Sequence, residues 1–223
     1  MTKPRLLDTF SGAGGCTKGY QRAGFYVVGV DIAPQPHYCG DEFHQGDALE
    51  YIQAHGHEFD VIHASPPCQR FSVMTKRWGD STASTHLNLI PATRAALKQT
   101  GKPYIIENVE GARAELVRPT MLCGTMFGLE LADGSQLRRH RYFECWGFEL
   151  GLTSPCWHNN VQSVLVAGHA GGKSTRDGRV FHTTEQRREV MGINWMTGTE
   201  LVESIPPDYT EWIGKRLLEV LTR

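Results

Sequence analysis

The sequence contains no run of about 18 apolar residues, the length that a membrane-spanning helix requires. The stretch MTKPRLLDTF at its start lacks the long apolar segment and the cleavage site of a signal peptide. The net charge of -1 shows no overall excess of basic residues that would indicate a polyanionic partner. These absences predict a cytoplasmic protein without a membrane partner, although one face of a neutral protein can still bind nucleic acid.

The six cysteines also lack the patterns that indicate disulfides or metals. None forms a C-x-x-C pair, and none pairs with a nearby histidine at the usual zinc spacing, so we expect free thiols and no metal. Five of them are expected to pack as small apolar side chains. Cys68 differs, because it follows two prolines at the end of an apolar run, in ASPPCQRFS. A thiol at that position is either one more buried group or a nucleophile.

Strand-like and helix-like segments alternate through residues 1–147. The predicted strands are RLLDTF, FYVVGVD, FDVIHA and PYIIENV; the predicted helices run through Tyr20 and Ala23, around Tyr51 and Ile52, and near Leu87 to Gln99. This alternation predicts an α/β, Rossmann-like, doubly wound and mostly parallel sheet with helices on both faces.

The pattern changes after the first 147 residues. Residues 148–182 are turn-rich with short apolar runs, which predicts a small β-rich insertion, called the insertion below. A helical pattern returns in residues 183–223. Its last part, EWIGKRLLEVL, predicts a closing helix whose apolar side carries Trp212, Ile213, Leu217 and Val220.

The segment DTFSGAGG joins the first strand to the first helix, where α/β sheets bind nucleotide-like ligands. Gly12, Gly14 and Gly15 follow GxGG rather than the dinucleotide pattern GxGxxG. Asp31 ends the second strand, where a carboxylate can accept both hydroxyls of a ribose. Asp47 lies at the next sheet edge, where it can accept a hydrogen bond from an adenine amino group. Since no lysine lies where phosphates would need one, these residues predict a phosphate-free nucleoside ligand such as S-adenosylmethionine.

In the order of its motifs the sequence resembles the cytosine-C5 DNA methyltransferase family. DTFSGAGG is similar to the family's first cofactor motif, PPCQ at 66–69 to its catalytic motif, and ENV at 107–109 to its base-binding motif. RHR at 139–141 resembles the second half of its QxRxR element, and SIPPDYTEWIG resembles its last motif. The resemblance covers about residues 5–147 and 183–214. It implies the class I S-adenosylmethionine methyltransferase fold and a compact bacterial or phage-like member, in a bacterial or infected host cell.

Some positions depart from the family pattern. Leu137 stands where QxRxR would have its glutamine, although Gln136 lies one position away. Arg70 follows Gln69 where the family usually has glycine. The insertion, which would be the target-recognition region, is far shorter than usual. We therefore expect a short or relaxed target sequence.

The resemblance implies that four residues are catalytic: Cys68, Glu107, Arg139 and Arg141. A thiolate that adds to C6 of cytosine makes C5 enamine-like and able to attack a sulfonium methyl group. Glu107, if protonated, can donate to N3, and its neighbour Asn108 fixes the loop. Arg141 is implied near the cytosine O2, and Arg139 is implied to support the catalytic loop. Because a cytosine inside a duplex cannot reach such a pocket, the base is expected to flip out.

Further residues are expected at the cofactor and DNA surfaces. The expected cofactor-binding residues are Asp8, Phe10, Gly12, Gly14, Gly15, Asp31, Ile32, Asp47, Ala48, Pro66, Leu89 and Ser204. The residues expected to contact DNA are Gln69, Ser72, Asn108, Lys173 and Arg176. The expected partner is double-stranded DNA, and a monomer is expected.

Two other readings remain open. The same catalytic residues serve tRNA cytosine methylation in relatives, so the substrate could be RNA. Glu203 and Ser204 replace the Asn and small residue that are usual in the last motif, which leaves room for a different one-carbon donor. The second reading is a DNA-binding relative without catalysis, against which the intact Cys68 and Glu107 argue. Restriction-modification, phage self-protection and regulation would all use this chemistry.

Overall fold

The structure is a computed structural model that describes residues 2–67, 88–151, 154–168, 170–173 and 181–221, and the structural statements below concern these residues. Its strands are β1 (Arg5–Thr9), β2 (Tyr26–Asp31), β3 (Glu42–Gln45), β4 (Val61–Ala64), β5 (Tyr104–Asn108), β6 (Thr120–Leu122) and β7 (Arg141–Trp146). Its helices are α1 (Gly15–Ala23), α2 (Ala48–His55), α3 (Ile90–Thr100), α4 (Thr184–Met191), α5 (Gly198–Glu203) and α6 (Pro207–Leu221). No helix among them is both long and apolar enough to cross a membrane.

The strands form one seven-stranded sheet in the order β3-β2-β1-β4-β5-β7-β6. The first five strands in this order are parallel, whereas β7 is antiparallel to β5 and β6 is antiparallel to β7. The carboxyl ends of β1, β2, β4 and β5 therefore share one edge with the amino end of β7. The predicted mostly parallel α/β sheet is confirmed.

Each face of the sheet carries its own apolar cluster. On one face, Leu6 and Val27 pack with residues of α1 and α6, including Tyr20 and Ile213. On the other face, Leu7 and neighbouring strand residues pack against α2 and α3. Because β1, β4 and β5 are buried on both faces, they are continuous apolar runs in the sequence.

The first and last helices pack closely because glycine lies at their contact. Gly19 of α1 lies against Thr210 and Pro207 so closely that no Cβ would fit there. Thr210 Oγ1 donates a 2.8 Å hydrogen bond to the carbonyl oxygen of Cys16. The predicted closing helix exists, and Ile213 is buried on its inner side. Val220 was expected there as well, but it is 39% exposed, because the buried positions of α6 end at Leu217.

The insertion packs on the core and forms no regular strand among its described residues. Two backbone hydrogen bonds pair Gly171 with His182 and Gly172 with Phe181, which is the extent of its strand-like pairing there. Val164 and Val166 enter a third apolar cluster together with Leu137 and residues of α4. The insertion thus uses part of the core as its own support.

Candidate functional site

Glu107 and Arg141 meet at the edge where the parallel strands end. Arg141 Nε lies 3.1 Å from Glu107 Oε1, and both side chains are nearly buried, at 14% and 8% exposure. Glu107 lies near the end of β5 and Arg141 begins β7. Because the two strands are antiparallel neighbours, with Asn108 opposite Tyr142, the start of β7 lies beside the end of β5. This register brings together two residues that are remote in sequence.

The carboxyl group of Glu107 has a pKa above its ordinary value. Burial raises its pKa, and this effect is opposed by the nearby charge of Arg141, a hydrogen bond with Ser65 and the charge of Arg139. Glu107 Oε1 is buried and has no hydrogen-bond partner among the described residues. The 3.1 Å contact with Arg141 is therefore a close ion-pair contact without hydrogen-bond geometry. An oxygen in this situation can donate a proton to a ligand in the pocket.

A polar chain runs from this carboxyl group into the core. Beyond Ser65, His63 Nε2 lies 3.1 Å from Ser65 Oγ, and His63 Nδ1 lies 2.9 Å from the hydroxyl oxygen of Tyr20. Burial lowers the pKa of His63 to about 3, so the ring is neutral. Sequence reasoning missed this chain; the only signal for it was a histidine inside the apolar run FDVIHA.

Asn108 fixes the backbone that leads to the predicted nucleophile. Its Nδ2 donates a 3.0 Å hydrogen bond to the carbonyl oxygen of Pro66, and its Oδ1 accepts one from the Val109 N–H. Cys68 follows Pro66 by two positions and lies outside the described residues, as do Gln69, Ser72 and Arg176. The structure therefore describes the support of the catalytic loop and leaves the roles of Cys68 and its neighbours as predictions.

Arg139 binds the backbone of two other segments. Its guanidinium donates to the carbonyl oxygens of Val202, Ser204 and Val166, at 2.6 to 3.1 Å. Val202 and Ser204 lie at the end of α5, and Val166 belongs to the insertion. Arg139 thus joins the core, the last motif and the insertion. Its predicted support of the loop around Cys68 stays a prediction.

Gln136 and Leu137, which lie where the sequence departs from the QxRxR element, also contact the insertion. Gln136 Oε1 accepts a 2.9 Å hydrogen bond from the Asn159 N–H, and its carbonyl oxygen accepts one from the Val164 N–H. Leu137 is 1% exposed and packs in the third apolar cluster. Gln136 therefore supports the insertion, while Leu137 is a core residue. Lys173, expected to contact DNA, is exposed.

The glycine loop and Asp31 form a cradle at the same edge of the sheet. Gly12 has a positive φ of 50°, and an added Cβ would meet no other described residue within 4 Å. Its N–H donates a 2.9 Å hydrogen bond to Asp31 Oδ2, and the Ala33 N–H donates a 3.0 Å one to Asp31 Oδ1. A carboxylate has about four acceptor positions, so both oxygens of Asp31 can still accept ligand hydroxyls. Ile32 is 70% exposed beside them, an apolar surface for a flat ring.

The other two glycines are needed for close packing. Gly14 has a φ of 87° and lies against Cys39, whose Sγ would be 2.9 Å from an added Cβ. A Cβ on Gly15 would lie 2.6 Å from the carbonyl oxygen of Ile205 and 3.0 Å from the Cβ of Ser204. The residues of the last motif therefore pack beside the glycine loop. Ser204 itself is buried, and its hydroxyl donates to the Leu201 carbonyl oxygen.

Asp47 caps helix α2 and keeps one oxygen available. Its Oδ1 accepts hydrogen bonds from the backbone N–H groups of Leu49 and Glu50, at 2.8 and 3.0 Å. Ala48, the first residue of the helix, is buried. Asp47 Oδ2 can then accept from a ligand, which agrees with the expected amino contact. That Asp31, Ile32 and Asp47 contact the cofactor stays a prediction.

Four more residues were expected to touch the cofactor. Phe10 is half-buried and has a positive φ of 58°, which is strained for a non-glycine residue and typical of functional turns. Leu89 directly precedes α3 and is half-buried, and Pro66 is buried at the end of β4. Asp8 is fully buried and accepts a 2.5 Å hydrogen bond from Thr17 Oγ1. It holds α1 on β1, and a cofactor contact stays a prediction for all four.

Four side chains of the types that can bind a metal meet beside the amino end of β7, next to Arg141. Cys123, His140, Cys156 and His158 bring one ligand atom each to within 4.8 Å of one another, and we call them the thiol-imidazole cluster. Sequence spacing gave no sign of it. The five described cysteines form no disulfide, as expected.

Comparison with known proteins matches about the first half of this chain to one family. The family model for "C-5 cytosine-specific DNA methylase" matches residues 4–120. The Type II methyltransferase M.XorII of Xanthomonas oryzae is 32% identical over 127 residues, which are 50% of this chain and 29% of that protein. The Type II methyltransferase M.AquIA of Picosynechococcus is 31% identical over 125 residues, which are 48% of this chain and 49% of that protein. The chain thus matches half or less of the length of these curated relatives.

One solved structure is similar in fold to this chain over nearly the whole length of both. It is the crystal structure of a candidate DNA modification methyltransferase encoded within an E. coli prophage, with a TM-score of 0.64 and 14% identity. The match covers 99% of this chain and 100% of that one. At this identity the likeness concerns the fold alone.

Proposed function

The chain belongs to the C-5 cytosine-specific DNA methylase family, and we propose that it transfers a methyl group from S-adenosylmethionine to C5 of cytosine in double-stranded DNA. The observation that carries the proposal is the buried pair of Glu107 and Arg141, 3.1 Å apart, beside the loop that leads to Cys68. A carboxyl group with a raised pKa and a guanidinium at one spot suit the N3 and O2 edge of a cytosine.

The cradle at the ends of β1 and β2 supports the choice of cofactor. S-adenosylmethionine, when bound, supplies an electrophilic methyl group on a positively charged sulfur. Asp31 would accept the ribose hydroxyls, Ile32 would pack on the adenine, and Asp47 Oδ2 would accept from the adenine amino group. No basic side chain is needed, because the ligand carries no phosphate.

The proposed chemistry begins with Cys68. Its thiolate forms a bond to C6 of cytosine, and the electrons of the C5–C6 double bond move through C4 to N3. Glu107 donates its proton to N3, so that no negative charge accumulates on the ring and C5 becomes an enamine carbon. Arg141 donates hydrogen bonds to O2 and holds the base in place. C5 would then form a bond to the methyl carbon as the methyl–sulfur bond breaks, and S-adenosylhomocysteine would be the leaving group. A base would next remove H5, so that the C5–C6 double bond re-forms and the Cys68 thiolate leaves, and Glu107 would recover the proton from N3.

Reaching this pocket requires an extruded base, because C5 and C6 of a stacked cytosine are inaccessible to the thiol. The insertion offers few side chains for base recognition, and each good contact to a base edge discriminates by about 1–3 kcal/mol. We therefore propose a short or relaxed target sequence, and Lys173 as a contact to the DNA backbone.

The test measures transfer of labelled methyl groups from S-adenosylmethionine to duplex DNA and, separately, to tRNA. Wild type, Cys68→Ala and the control Cys145→Ala are compared. Label in DNA that is lost only in Cys68→Ala supports the proposal. A DNA duplex with 5-fluorocytosine should also trap wild type covalently. Fluorine takes the place of H5 and cannot be removed by a base, so Cys68 cannot leave.

Two outcomes would overturn the proposal. Label in tRNA alone would show that the substrate is RNA. No transfer to either nucleic acid, with binding to DNA retained, would show a relative that has lost catalysis.

A further inference from the structure

The thiol-imidazole cluster has the dimensions of a tetrahedral metal site. Cys123 Sγ lies 3.4 Å from His158 Nε2, and Cys156 Sγ lies 3.9 Å from His140 Nε2. In a tetrahedral zinc site, with Zn–S near 2.3 Å and Zn–N near 2.05 Å, a sulfur and a nitrogen ligand are about 3.6 Å apart. The two observed distances lie on either side of this value.

The fold brings the four residues together from three places. Cys123 follows β6 and His140 precedes β7. Since Leu122 pairs with Arg141 in the antiparallel ladder, Cys123 and His140 occupy the next opposed positions. Cys156 and His158 come from the insertion, and the His158 ring stacks on His140, with ring centroids 5.3 Å apart. Sequence spacing could not reveal a site whose ligands depend on this register.

The chemistry of the cluster indicates which metal it would take. Two thiolates balance the charge of a divalent cation, and two sulfur and two imidazole ligands at tetrahedral positions favour zinc over harder cations. Thr125 Oγ1 donates a 3.3 Å hydrogen bond to Cys123 Sγ, which is the kind of outer contact that orients a thiolate ligand. Cys123 is buried and His158 is exposed, so a metal could enter from solvent.

We propose that Cys123, His140, Cys156 and His158 form a structural zinc site that fastens the insertion to the ends of β6 and β7. With four protein ligands the metal has no open position, which is typical of structural rather than catalytic zinc. The described residues of the insertion form no regular strand, so a metal would add to the apolar cluster and to the hydrogen bonds from Arg139 and Gln136 that already hold them. A metal can supply stability that a small core does not.

The site would also hold the backbone between two functional arginines. His140 lies between Arg139 and Arg141 in sequence, and its carbonyl oxygen accepts a 2.9 Å hydrogen bond from Arg141 Nη1. The carbonyl oxygen of Arg139 accepts a 2.6 Å hydrogen bond from the Tyr209 hydroxyl. A metal on the His140 side chain would add a third restraint at this point. This inference stands without the proposed methyl transfer, because metal content is measured separately.

The test uses the full chain, purified without a metal-chelating tag and kept reduced. Zinc is measured by mass spectrometry, and the metal-free protein is titrated with Co²⁺. We expect about one zinc per chain, and a cobalt spectrum with the intense visible bands of tetrahedral Co²⁺ and thiolate charge-transfer bands. Cys156→Ser and His158→Ala, which change the accessible half of the cluster, should each weaken cobalt binding at least about tenfold.

Cys145→Ser is the matched control, because Cys145 is a half-buried thiol farther along β7. It should bind metal like wild type, and circular dichroism of all variants shows whether the core remains folded. Absence of stoichiometric zinc together with a weak, octahedral cobalt spectrum would overturn the proposal. An equal loss of metal in Cys145→Ser and in Cys156→Ser would overturn it as well.

Discussion

Asn108 Nδ2 donates a 3.0 Å hydrogen bond to the carbonyl oxygen of Pro66, which ties the end of β5 to the chain just before Cys68. Asn108 is 1% exposed, and its Oδ1 accepts from the Val109 N–H. Both ends of this amide are therefore engaged. The backbone at Pro66 is thus held by a side chain that belongs to the neighbouring strand.

Asn108→Ala is expected to slow methyl transfer by roughly 10- to 100-fold, because a displacement of about 1 Å at a reacting group costs that much. The unpaired carbonyl oxygen of Pro66 should also lower the free energy of unfolding by about 1–3 kcal/mol. Single-turnover rates at saturating cofactor and DNA measure the first effect, and thermal unfolding the second. Asn194→Ala, at an exposed asparagine, is the control. An unchanged rate in Asn108→Ala would mean that the loop is positioned by other contacts.

Glu107 should impose an alkaline limit on the reaction. Burial raises the pKa of this carboxyl group, so it keeps the proton needed at N3 to higher pH and loses it as pH rises through the folded-state pKa. Glu107→Gln is expected to lower kcat by about 10²- to 10⁴-fold, the usual contribution of a general acid, and to remove this alkaline limb. Glu107→Asp retains a carboxyl group and should keep the limb at a lower rate. If kcat of Glu107→Gln still falls at alkaline pH, the titration of a different residue causes that fall.

Asp8 should make the folded state less stable as pH rises. Burial raises the pKa of Asp8 from 3.8 to about 7, so the folded protein holds a proton that the unfolded chain releases near pH 4. Between about pH 5 and pH 8, wild type should lose roughly 2–3 kcal/mol more unfolding free energy than Asp8→Asn. Urea unfolding at several pH values measures this difference.

The variant Thr17→Val gives a second test of the titration of Asp8. Its hydroxyl donates to Asp8 Oδ2 and lowers the pKa of the carboxyl group. Thr17→Val should therefore move the loss of stability to higher pH. Identical pH profiles for wild type and Asp8→Asn would contradict the assignment of this titration to Asp8.

Ile32 should contribute to cofactor binding without contributing to folding. It is 70% exposed at the end of β2, where an adenine ring would cover it. Truncation in Ile32→Ala should weaken binding of S-adenosylhomocysteine about tenfold, since covering part of such a side chain contributes about 1–2 kcal/mol. Isothermal titration calorimetry measures the affinity.

Val117→Ala is the control for an exposed apolar residue, because Val117 is 52% exposed away from this cradle. Both variants should unfold at the temperature of wild type. If Val117→Ala weakens binding as much as Ile32→Ala, the adenine does not lie on Ile32.

The sequence predicted the buried centre of the sheet and missed its margins. β1, β2, β4 and β5 each contain adjacent apolar residues, because helices cover both of their faces. β3, with the sequence EFHQ, is a mostly polar edge strand, and β6 has three residues, so neither carries a periodic signal. β7 was missed because Glu144 lies in its middle. Glu144 can be buried because it forms a 2.6 Å ion pair with Arg94. No local sequence pattern reveals this pair.

The sequence likewise predicted some parts of the candidate site and missed others. Glu107, Asp31 and the glycine loop were predictable, because strand ends in a parallel sheet meet at one edge. The 3.1 Å approach of Arg141 to Glu107 depends on an antiparallel strand, and it was not predicted: the resemblance implied only that Arg141 lies near the cytosine O2. The thiol-imidazole cluster and the support of the insertion by Gln136 arise from contacts between distant segments. Neither has a local signature.

The close packing of α1 on α6 has a consequence for synthesis of the chain. Thr210 and Cys16, which are hydrogen-bonded across this contact, are 194 positions apart. At about 5–20 residues per second, a ribosome needs on the order of 10–40 s to make the intervening segment. During that interval the apolar side of α1, which includes Tyr20, lacks the part of its cover that α6 supplies. The nascent glycine loop therefore cannot acquire its final support until translation reaches the last helix, and holding factors that shield apolar surface would act in this window.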